Sequence, residues 1–260
     1  MTNLFDLTGK KAVVVGGAGG IGQAIAEGLA EAGAQVMISS RKTDSLQKAQ
    51  EEIKTRTGLD ILYYVGDATK EADVSALLDK AIKEMGAAHI LVNCQGFNKK
   101  FPGTEFPEKE WDEMFSANVK SVMFTCKHFG KYMKENDIHG KIINISSVRG
   151  VRAIGNGGMG NAGYCATKGA VEMLTKAYAS DLGPGIQVNA IGPTITYTPM
   201  MVGLLPDDEA TRNNIAASMP LQRIGYPEDC KGPAIFLASA ASDFVTGQTI
   251  YPDGGLTAVG

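Results

Sequence analysis

A tyrosine and a lysine four residues apart are the first residues whose types and spacing could do chemistry. Tyr164 and Lys168 begin a stretch of helical periodicity, so their side chains share one face of the predicted helix. An ammonium close to a phenol stabilises the phenolate and lowers its pKa from about 10. The pair therefore predicts a group that donates or accepts a proton near neutral pH. Such pairs are common by chance, so the surrounding sequence decides how much weight this one carries.

A glycine-rich segment is the second candidate. It lies between Lys11–Val15, a β-branched run typical of a buried strand, and Ile21–Ala32, which has the apolar spacing of a helix. Glycine lets the backbone approach a pyrophosphate without a Cβ in the way, and the helix N-terminus behind it offers free N–H groups. In this strand–turn–helix context the segment predicts a dinucleotide site. The residues assigned to it are Gly16, Gly19, Gly20, Ile21 and Gly22.

The end of the second predicted strand indicates which dinucleotide is bound. Folds that bind a free ribose 2′-hydroxyl place a carboxylate there, about 20 residues after the glycines. This chain has Ser39 and Ser40 followed by Arg41 and Lys42. A guanidinium fork suits a 2′-phosphate, which a nearby aspartate would repel. We therefore predict NADP(H) rather than NAD(H), with Ser40, Arg41 and Lys42 at the phosphate. Alternatively, the two cations only begin a solvated helix.

Strands that alternate with helices must position these groups. Such alternation implies βαβ units and a parallel sheet. We predict one α/β domain, a Rossmann-type doubly wound parallel sheet flanked by helices. Residues 7–145 would form its dinucleotide-binding half, residues 146–260 its catalytic and substrate half, and residues 193–220 a lid. The further predicted strands are Gln35–Ser39, Ile61–Val65, Ile90–Asn93, Lys141–Ser146 and Ile186–Ile191, and the further helices are Asp44–Thr55, Val74–Met85, Ala162–Leu182, a short one at Asp207–Ala217 and the amphipathic stretch Glu108–Lys134.

The order of the motifs resembles that of the short-chain dehydrogenase/reductase family. The glycine segment is followed by Asn144-Ile145-Ser146-Ser147 at a strand end and then by the tyrosine–lysine pair, and the resemblance covers essentially the whole chain. It implies that Tyr164 is the catalytic acid/base and that Lys168 tunes it and binds the nicotinamide ribose. It also implies that Ser147 polarises the substrate carbonyl and that Asn118 holds a proton-relay water near the lysine.

The same resemblance implies further cofactor contacts, with three departures from the family pattern. Val15 stands where a threonine usually braces the glycine loop, Cys94-Gln95 replaces Asn-Ala, and Thr194 replaces a glycine. These departures affect binding contacts and none of the reacting groups. The matching residues are Asp67 and Ala68 at the adenine, Asn93 and Gly96 in the turn after the fourth strand, and Pro193, Ile195 and Thr198 facing the nicotinamide carboxamide.

Composition excludes several classes of function. With 25 basic and 28 acidic residues and a formal net charge of −3, the chain lacks the basic footprint of a nucleic-acid-binding protein. No apolar run reaches the ~18 residues of a membrane span, and the first residues lack the apolar core of a signal peptide. The four cysteines form no CxxC pair, so we expect reduced thiols, no metal site and a cytoplasmic protein. The family resemblance implies a homotetramer.

The resemblance leads us to expect an NADP(H)-dependent oxidoreductase that interconverts a secondary alcohol and a ketone by hydride transfer. The long glycine-rich segment Gly150–Gly163 is interpreted as an enlarged rim of the substrate pocket, or alternatively as a surface bulge. With Arg149, Arg152, Asn156 and Asn161, this rim could offer hydrogen bonds to hydroxyls or a carboxylate, which favours a sugar, polyol or sugar acid. The alternatives are a 3-oxoacyl-thioester (acyl carrier) reductase and, in another class, a non-catalytic dinucleotide sensor.

Overall fold

The computed structural model describes residues 3–153, 160–202 and 207–259. Its strands in these ranges are β1 (Lys11–Val15), β2 (Gln35–Ser40), β3 (Leu62–Val65), β4 (Ile90–Asn93), β5 (Gly140–Ile145), β6 (Ile186–Ile191) and β7 (Thr249–Ile250). They form one sheet in the order β3-β2-β1-β4-β5-β6-β7. Every neighbouring pair is parallel. The predicted α/β class and doubly wound parallel sheet are confirmed.

Helices cover both faces of this sheet, and most begin and end within a few residues of the predicted bounds. The predicted stretch Glu108–Lys134 is divided, because a π-helical turn at Ser116–Lys120 separates two α-helices. None of the described helices has the length and apolar character that a membrane crossing requires. The α-helices are α1 (Gly20–Glu31), α2 (Thr43–Thr57), α3 (Glu71–Met85), α4 (Glu108–Phe115), α5 (Ser121–Glu135), α6 (Ala162–Leu182), α7 (Pro199–Val202), α8 (Glu209–Ala216) and α9 (Lys231–Ala238).

The central strand β1 is apolar at consecutive positions from Ala12 to Val15, and its surroundings explain why. Ala12 and Val14 face one hydrophobic cluster, which includes residues of α1 and α9. Val13 and Val15 face the other, which includes residues of α3, α5 and α6. Alternate residues of a strand point to opposite faces, so a strand covered on both faces needs an uninterrupted apolar run.

The connections of the sheet place the ends of β1 and β4 side by side. The chain runs outward from β1 through β2 and β3, then returns to β4 and continues in the opposite direction. The backbone N–H of Cys94, just after β4, donates to the carbonyl oxygen of Val15 at 2.8 Å. Doubly wound sheets bind ligands at this point, outside the carboxyl ends of the strands where the winding direction reverses.

Two of the predicted loops are described only in part. Residues 154–159 of the predicted rim, which include Asn156, and residues 203–206 of the predicted lid lie outside the described residues. The described part of the segment 193–220 contains α7, α8 and a parallel bridge between Thr196 and Gly225. Its function as a lid remains a prediction.

Candidate active site

A cavity of about 580 Å³ lies at the carboxyl edge of the sheet. This volume is within the range of cofactor and small-molecule sites. The glycine segment bounds one end and the beginning of α6 bounds the other, so groups far apart in sequence face the same space. The predicted site residues that line it are Gly16, Gly19, Gly20, Ile21, Gly22, Ser40, Arg41, Asp67, Ala68, Gly96, Ser147, Tyr164, Lys168, Pro193, Ile195 and Thr198.

Three predicted site residues are not part of this lining. Lys42 is exposed and immediately precedes α2. Asn93 is buried below the cavity, where its amide donates to Asn144 Oδ1 at 2.9 Å. Asn118 is also buried, in the π-helical turn. The two asparagines therefore support the wall of the cavity from behind, and a direct contact of any of the three with a cofactor remains a prediction.

Asn118 holds the turn that follows β4 by two hydrogen bonds to one residue. Its Oδ1 accepts from the backbone N–H of Phe97 at 2.9 Å, and its Nδ2 donates to the carbonyl oxygen of Phe97 at 2.9 Å. Gly96 packs directly against this side chain, since a Cβ there would lie 2.8 Å from Asn118 Oδ1 at a φ of +146°. Only glycine suits that position. The amide thus has a structural role, and the expected role in a proton relay remains a prediction.

The glycine segment leaves room for a ligand because its backbone is packed on every other side. A Cβ on Gly16, which has φ +78°, would lie 2.6 Å from the backbone nitrogen of Gln95, and one on Gly22 would lie 2.2 Å from the oxygen of Gly16. A Cβ on Gly19 would meet nothing within 4 Å. No side chain caps α1, so the free N–H groups of its first turn are available to an anion.

The end of β2 supplies hydroxyls and a cation to the same end of the cavity. Ser40 and Arg41 line it, and Asp67 from the end of the neighbouring β3 lies close by. Partial burial acts to raise the pKa of Asp67, but hydrogen bonds from Thr69 and the positive charge of Arg41 lower it overall. An exposed guanidinium, adjacent hydroxyls and uncapped helix N–H groups fit a dinucleotide that carries a 2′-phosphate.

The reacting residues meet at the opposite end of the cavity. Lys168 is buried, its Nζ donates to the carbonyl oxygen of Ile145 at 2.7 Å, and this Nζ lies 5.6 Å from the centroid of the Tyr164 ring. The Ser147 hydroxyl donates to the carbonyl oxygen of Pro193 at 3.3 Å. β5 and β6 position these groups, because Ser147 follows the end of one strand and Pro193 the end of the other.

Burial dominates the ionisation of the tyrosine and the lysine. It raises the pKa of Tyr164 to about 12, although the Ser147 hydroxyl and the Arg149 guanidinium act to lower it. It lowers the pKa of Lys168 to about 8. In the protein alone the pKa of Tyr164 is therefore not lowered overall, and the predicted effect of Lys168 on it remains a prediction. The ammonium bonds to the Ile145 carbonyl instead, and loss of hydration favours the neutral form of both groups.

Sequence reasoning did not select three residues that line the cavity beyond β4. Gln95, Asn98 and Lys100 belong to the loop that follows this strand, and they line the same cavity as Arg149 and Asn161 from the other half of the chain. A signal for them existed, because a run of amide and cationic side chains just past the carboxyl end of a parallel strand lies where such folds bind ligands.

The chain is similar to known proteins along nearly all of its length. A family model described as Enoyl-(Acyl carrier protein) reductase matches residues 16–257. Gluconate 5-dehydrogenase of Gluconobacter oxydans (strain 621H) is 38% identical over 256 residues, covering 98% of this chain and 97% of that protein. 2-Dehydro-3-deoxy-D-gluconate 5-dehydrogenase of Dickeya dadantii (strain 3937) is 36% identical over 256 residues, covering 97% of each.

Solved structures are similar over the same length. A gluconate 5-dehydrogenase from Burkholderia cenocepacia J2315, in complex with NADP and tartrate, has a TM-score of 0.89 and 36% identity, and covers 99% of this chain and 98% of that one. A short-chain type dehydrogenase/reductase from Mycobacterium marinum has a TM-score of 0.88 and 34% identity, covering 98% of both chains. The similarity therefore includes all the segments that line the cavity.

Proposed function

The chain belongs to the short-chain dehydrogenase/reductase family, and we propose that it is an NADP(H)-dependent oxidoreductase that interconverts a secondary alcohol and a ketone on a sugar acid. The observation that carries the proposal is one cavity with Arg41 and the glycine segment at one end and Ser147, Tyr164 and Lys168 at the other. Relatives named for gluconate and 5-keto-D-gluconate support the substrate class. Relatives crystallised with NADP support the cofactor.

The bound cofactor supplies or accepts the hydride, and the chain's own residues handle the proton. In the direction of reduction, the Tyr164 hydroxyl donates its proton to the carbonyl oxygen of the substrate. The Ser147 hydroxyl exchanges its contact with Pro193 for a hydrogen bond to the same oxygen and so stabilises its developing charge. Lys168 uses one N–H for the carbonyl of Ile145 and keeps two for the cofactor ribose and the phenol.

The other assigned residues complete this proposal. Asp67 and Ala68 contact the adenine, and Ser40, Arg41 and Lys42 surround the 2′-phosphate. Asn93 and Asn118 support the turn that contains Gly96, and Asn118 also holds a proton-relay water. Residues 193–220 form a lid, of which Pro193, Ile195 and Thr198 face the nicotinamide. The halves 7–145 and 146–260 thereby divide the binding of the cofactor from the binding of the substrate.

Two alternatives fit the site less well. A 3-oxoacyl-thioester reductase would share the chemistry and the name of the matching family model. However, the substrate end of the cavity presents Lys100, Arg149 and several amides, and burying an acyl chain against unpaired polar groups is unfavourable. A non-catalytic dinucleotide sensor would not require a buried tyrosine, lysine and serine at the end of the cavity opposite the glycine segment.

The proposed function is tested with a panel of sugar acids, polyols and 3-oxoacyl thioesters, each assayed with NADP(H) and with NAD(H). We expect turnover of a sugar acid with NADP(H). The variant Tyr164→Phe should lose at least about 99% of that turnover while binding NADPH with unchanged affinity, because it removes only the proton donor. Turnover of the variant at the rate of the wild type would contradict the mechanism, and turnover of the thioesters alone would favour the first alternative.

We further propose a cytoplasmic homotetramer. The four cysteines are free, which suits a reducing compartment. Met173 on α6 and Phe244 before β7 are large apolar residues left strongly exposed in the single chain, and subunit contacts would cover such side chains. Light scattering of the purified protein tests the assembly, and a monomer at micromolar concentration would contradict it.

A further inference from the structure

Unpartnered polar atoms are concentrated in the lining of the cavity. Among the described residues, five buried side-chain oxygen atoms have no hydrogen-bond partner, and four of them belong to residues that line this cavity. Buried polar groups are normally paired, so a cluster of unpaired ones indicates where a polar ligand binds. The four residues are Gln95, Asn98, Asn161 and Thr194.

Two cations face the same cavity. Lys100 and Arg149 both line it, and neither forms an ion pair with an acidic residue in the described part of the chain. Burial, together with the positive charge of Arg149, lowers the pKa of Lys100. The neighbouring Lys99 differs, because it forms ion pairs with Glu110 and Glu113 outside the cavity. Two partly buried like charges are unfavourable together unless an anion lies between them.

Hydrogen bonds hold the backbone next to Lys100 and the side chain of Arg149. The backbone N–H of Phe101, next to Lys100, donates to the carbonyl oxygen of Gly160 at 3.0 Å, which joins the two loops around the cavity. Arg149 donates from Nη1 to the carbonyl oxygen of Ala153 at 3.2 Å, and its backbone N–H donates to the hydroxyl of Ser147 at 3.1 Å. The guanidinium is thus fixed beside a reacting residue and keeps N–H groups for a ligand.

The phosphates of the cofactor do not account for these cations. The pyrophosphate and the 2′-phosphate have their own groups at the glycine segment and Arg41, at the opposite end of the cavity. Asp67 is the only acidic residue among the described lining, and it also lies at that end. The anion that Lys100 and Arg149 attract must therefore belong to the substrate.

We propose that Lys100 and Arg149 bind the carboxylate of the substrate, and that the amide oxygens of Asn98 and Asn161 accept hydrogen bonds from hydroxyls next to it. The inference rests on the proposed function, because it assigns the anion to the molecule whose carbonyl receives the proton of Tyr164. A hydroxylated carboxylate matches both kinds of group, since the cations need an acceptor with charge and the amide oxygens need donors.

The test compares gluconate with gluconamide, which differ in charge only at the carboxylate. Lys100→Met should reduce kcat/KM for gluconate about 10- to 100-fold, mainly through KM, and leave gluconamide within about threefold. Arg149→Met should also reduce kcat/KM for gluconate, but its guanidinium lowers the pKa of Tyr164 as well, so both substrates should be affected. Lys100→Arg retains the charge and should stay close to the wild type. Lys99→Met is the matched control, because its cation is paired outside the cavity, and it should change neither substrate.

A binding measurement separates this inference from the proposed function. Gluconate, and not gluconamide, should raise the melting temperature of the NADP-saturated wild type, and Lys100→Met should abolish that rise while its affinity for NADPH is unchanged. If the wild type turns over no sugar acid but shows this selective rise, the proposed function fails and the carboxylate site stands. Equal losses for gluconate and gluconamide in Lys100→Met, an equal loss in Lys99→Met, or no selective rise in the wild type would overturn the carboxylate site.

Discussion

Replacing Lys168 by methionine should inactivate the protein. It should also remove the gain in stability that the wild type shows as the pH rises above 8. Methionine has a similar length and no charge, so it removes the buried ammonium without opening a large cavity. In the folded protein the pKa of Lys168 is lowered from 10.5 to about 8 because burial disfavours the charged form. Keeping the proton on this group below pH 8 therefore destabilises the fold by about 3 kcal/mol relative to an exposed lysine.

The direction of the pH dependence follows from which state of the protein, folded or unfolded, releases the Lys168 proton at the lower pH. Between pH 8 and 10.5 the unfolded chain keeps the proton on Lys168 and the folded protein has released it, so the stability of the wild type rises with pH. The variant lacks this gain. Its free energy of unfolding relative to the wild type should thus fall by about 2 kcal/mol between pH 7 and pH 9.5. Loss of the hydrogen bond to Ile145 costs about 1–3 kcal/mol and does not depend on pH.

Urea unfolding of both proteins without cofactor, followed by circular dichroism across this pH range, measures the difference. The contributions of other groups that titrate in this pH range cancel in the difference between the two free energies of unfolding, because both proteins contain those groups. Lys176→Met is the matched control, since Lys176 is an exposed lysine on the same helix, and its relative stability should not change with pH. A free energy of unfolding of Lys168→Met that, relative to the wild type, stays constant or rises toward pH 9.5 would refute the reasoning.

Three further outcomes are expected. Gly22→Ala should lower the melting temperature, because its Cβ would lie 2.2 Å from a backbone oxygen of the same loop, whereas Gly19→Ala, with open space around it, should leave it unchanged. Phe129→Ala should reduce the free energy of unfolding in urea by about 3–5 kcal/mol, because this ring is fully buried; a loss below 1 kcal/mol would contradict that packing. The double variant Ser40→Asp with Arg41→Ser should shift the NADPH/NADH ratio of kcat/KM about 100-fold toward NADH, and an unchanged ratio would show that these residues do not read the 2′-phosphate.

The fold was predictable from the sequence because its central strands are covered on both faces. Ala12–Val15 is apolar at consecutive positions for that reason. The predicted bounds of its strand, Lys11–Val15, agree with the observed ones, as do those of Ile186–Ile191. The reacting residues could also be predicted from the sequence. Tyr164 and Lys168 are four positions apart on one helix, so their shared face depends on local geometry alone.

The remaining features depend on tertiary structure that local pattern does not contain. Lys100 faces the cavity only because the loop around Phe101 is joined to Gly160, a contact between the two halves of the chain. The pKa of Tyr164 is raised because the folded chain buries its hydroxyl, which the spacing of residues in the sequence cannot reveal. The π-helical turn left no trace in the periodicity of Glu108–Lys134, since its stabilising contact, from Asn118 to Phe97, joins distant segments.

That π-helical turn sets the rotational phase between two helices. Each residue of an α-helix advances the side chain by about 100°, and a π-helical turn accommodates an additional residue. Removing one residue from Ser116–Lys120 would restore a regular helix with α4 and α5 in nearly the same phase, whereas inserting another would rotate α4 by about 100° against α5. Met114 of α4 would then turn away from Gly163 of α6, against which it packs. An engineer should therefore insert no residue into this segment and should keep Asn118, whose amide holds Phe97.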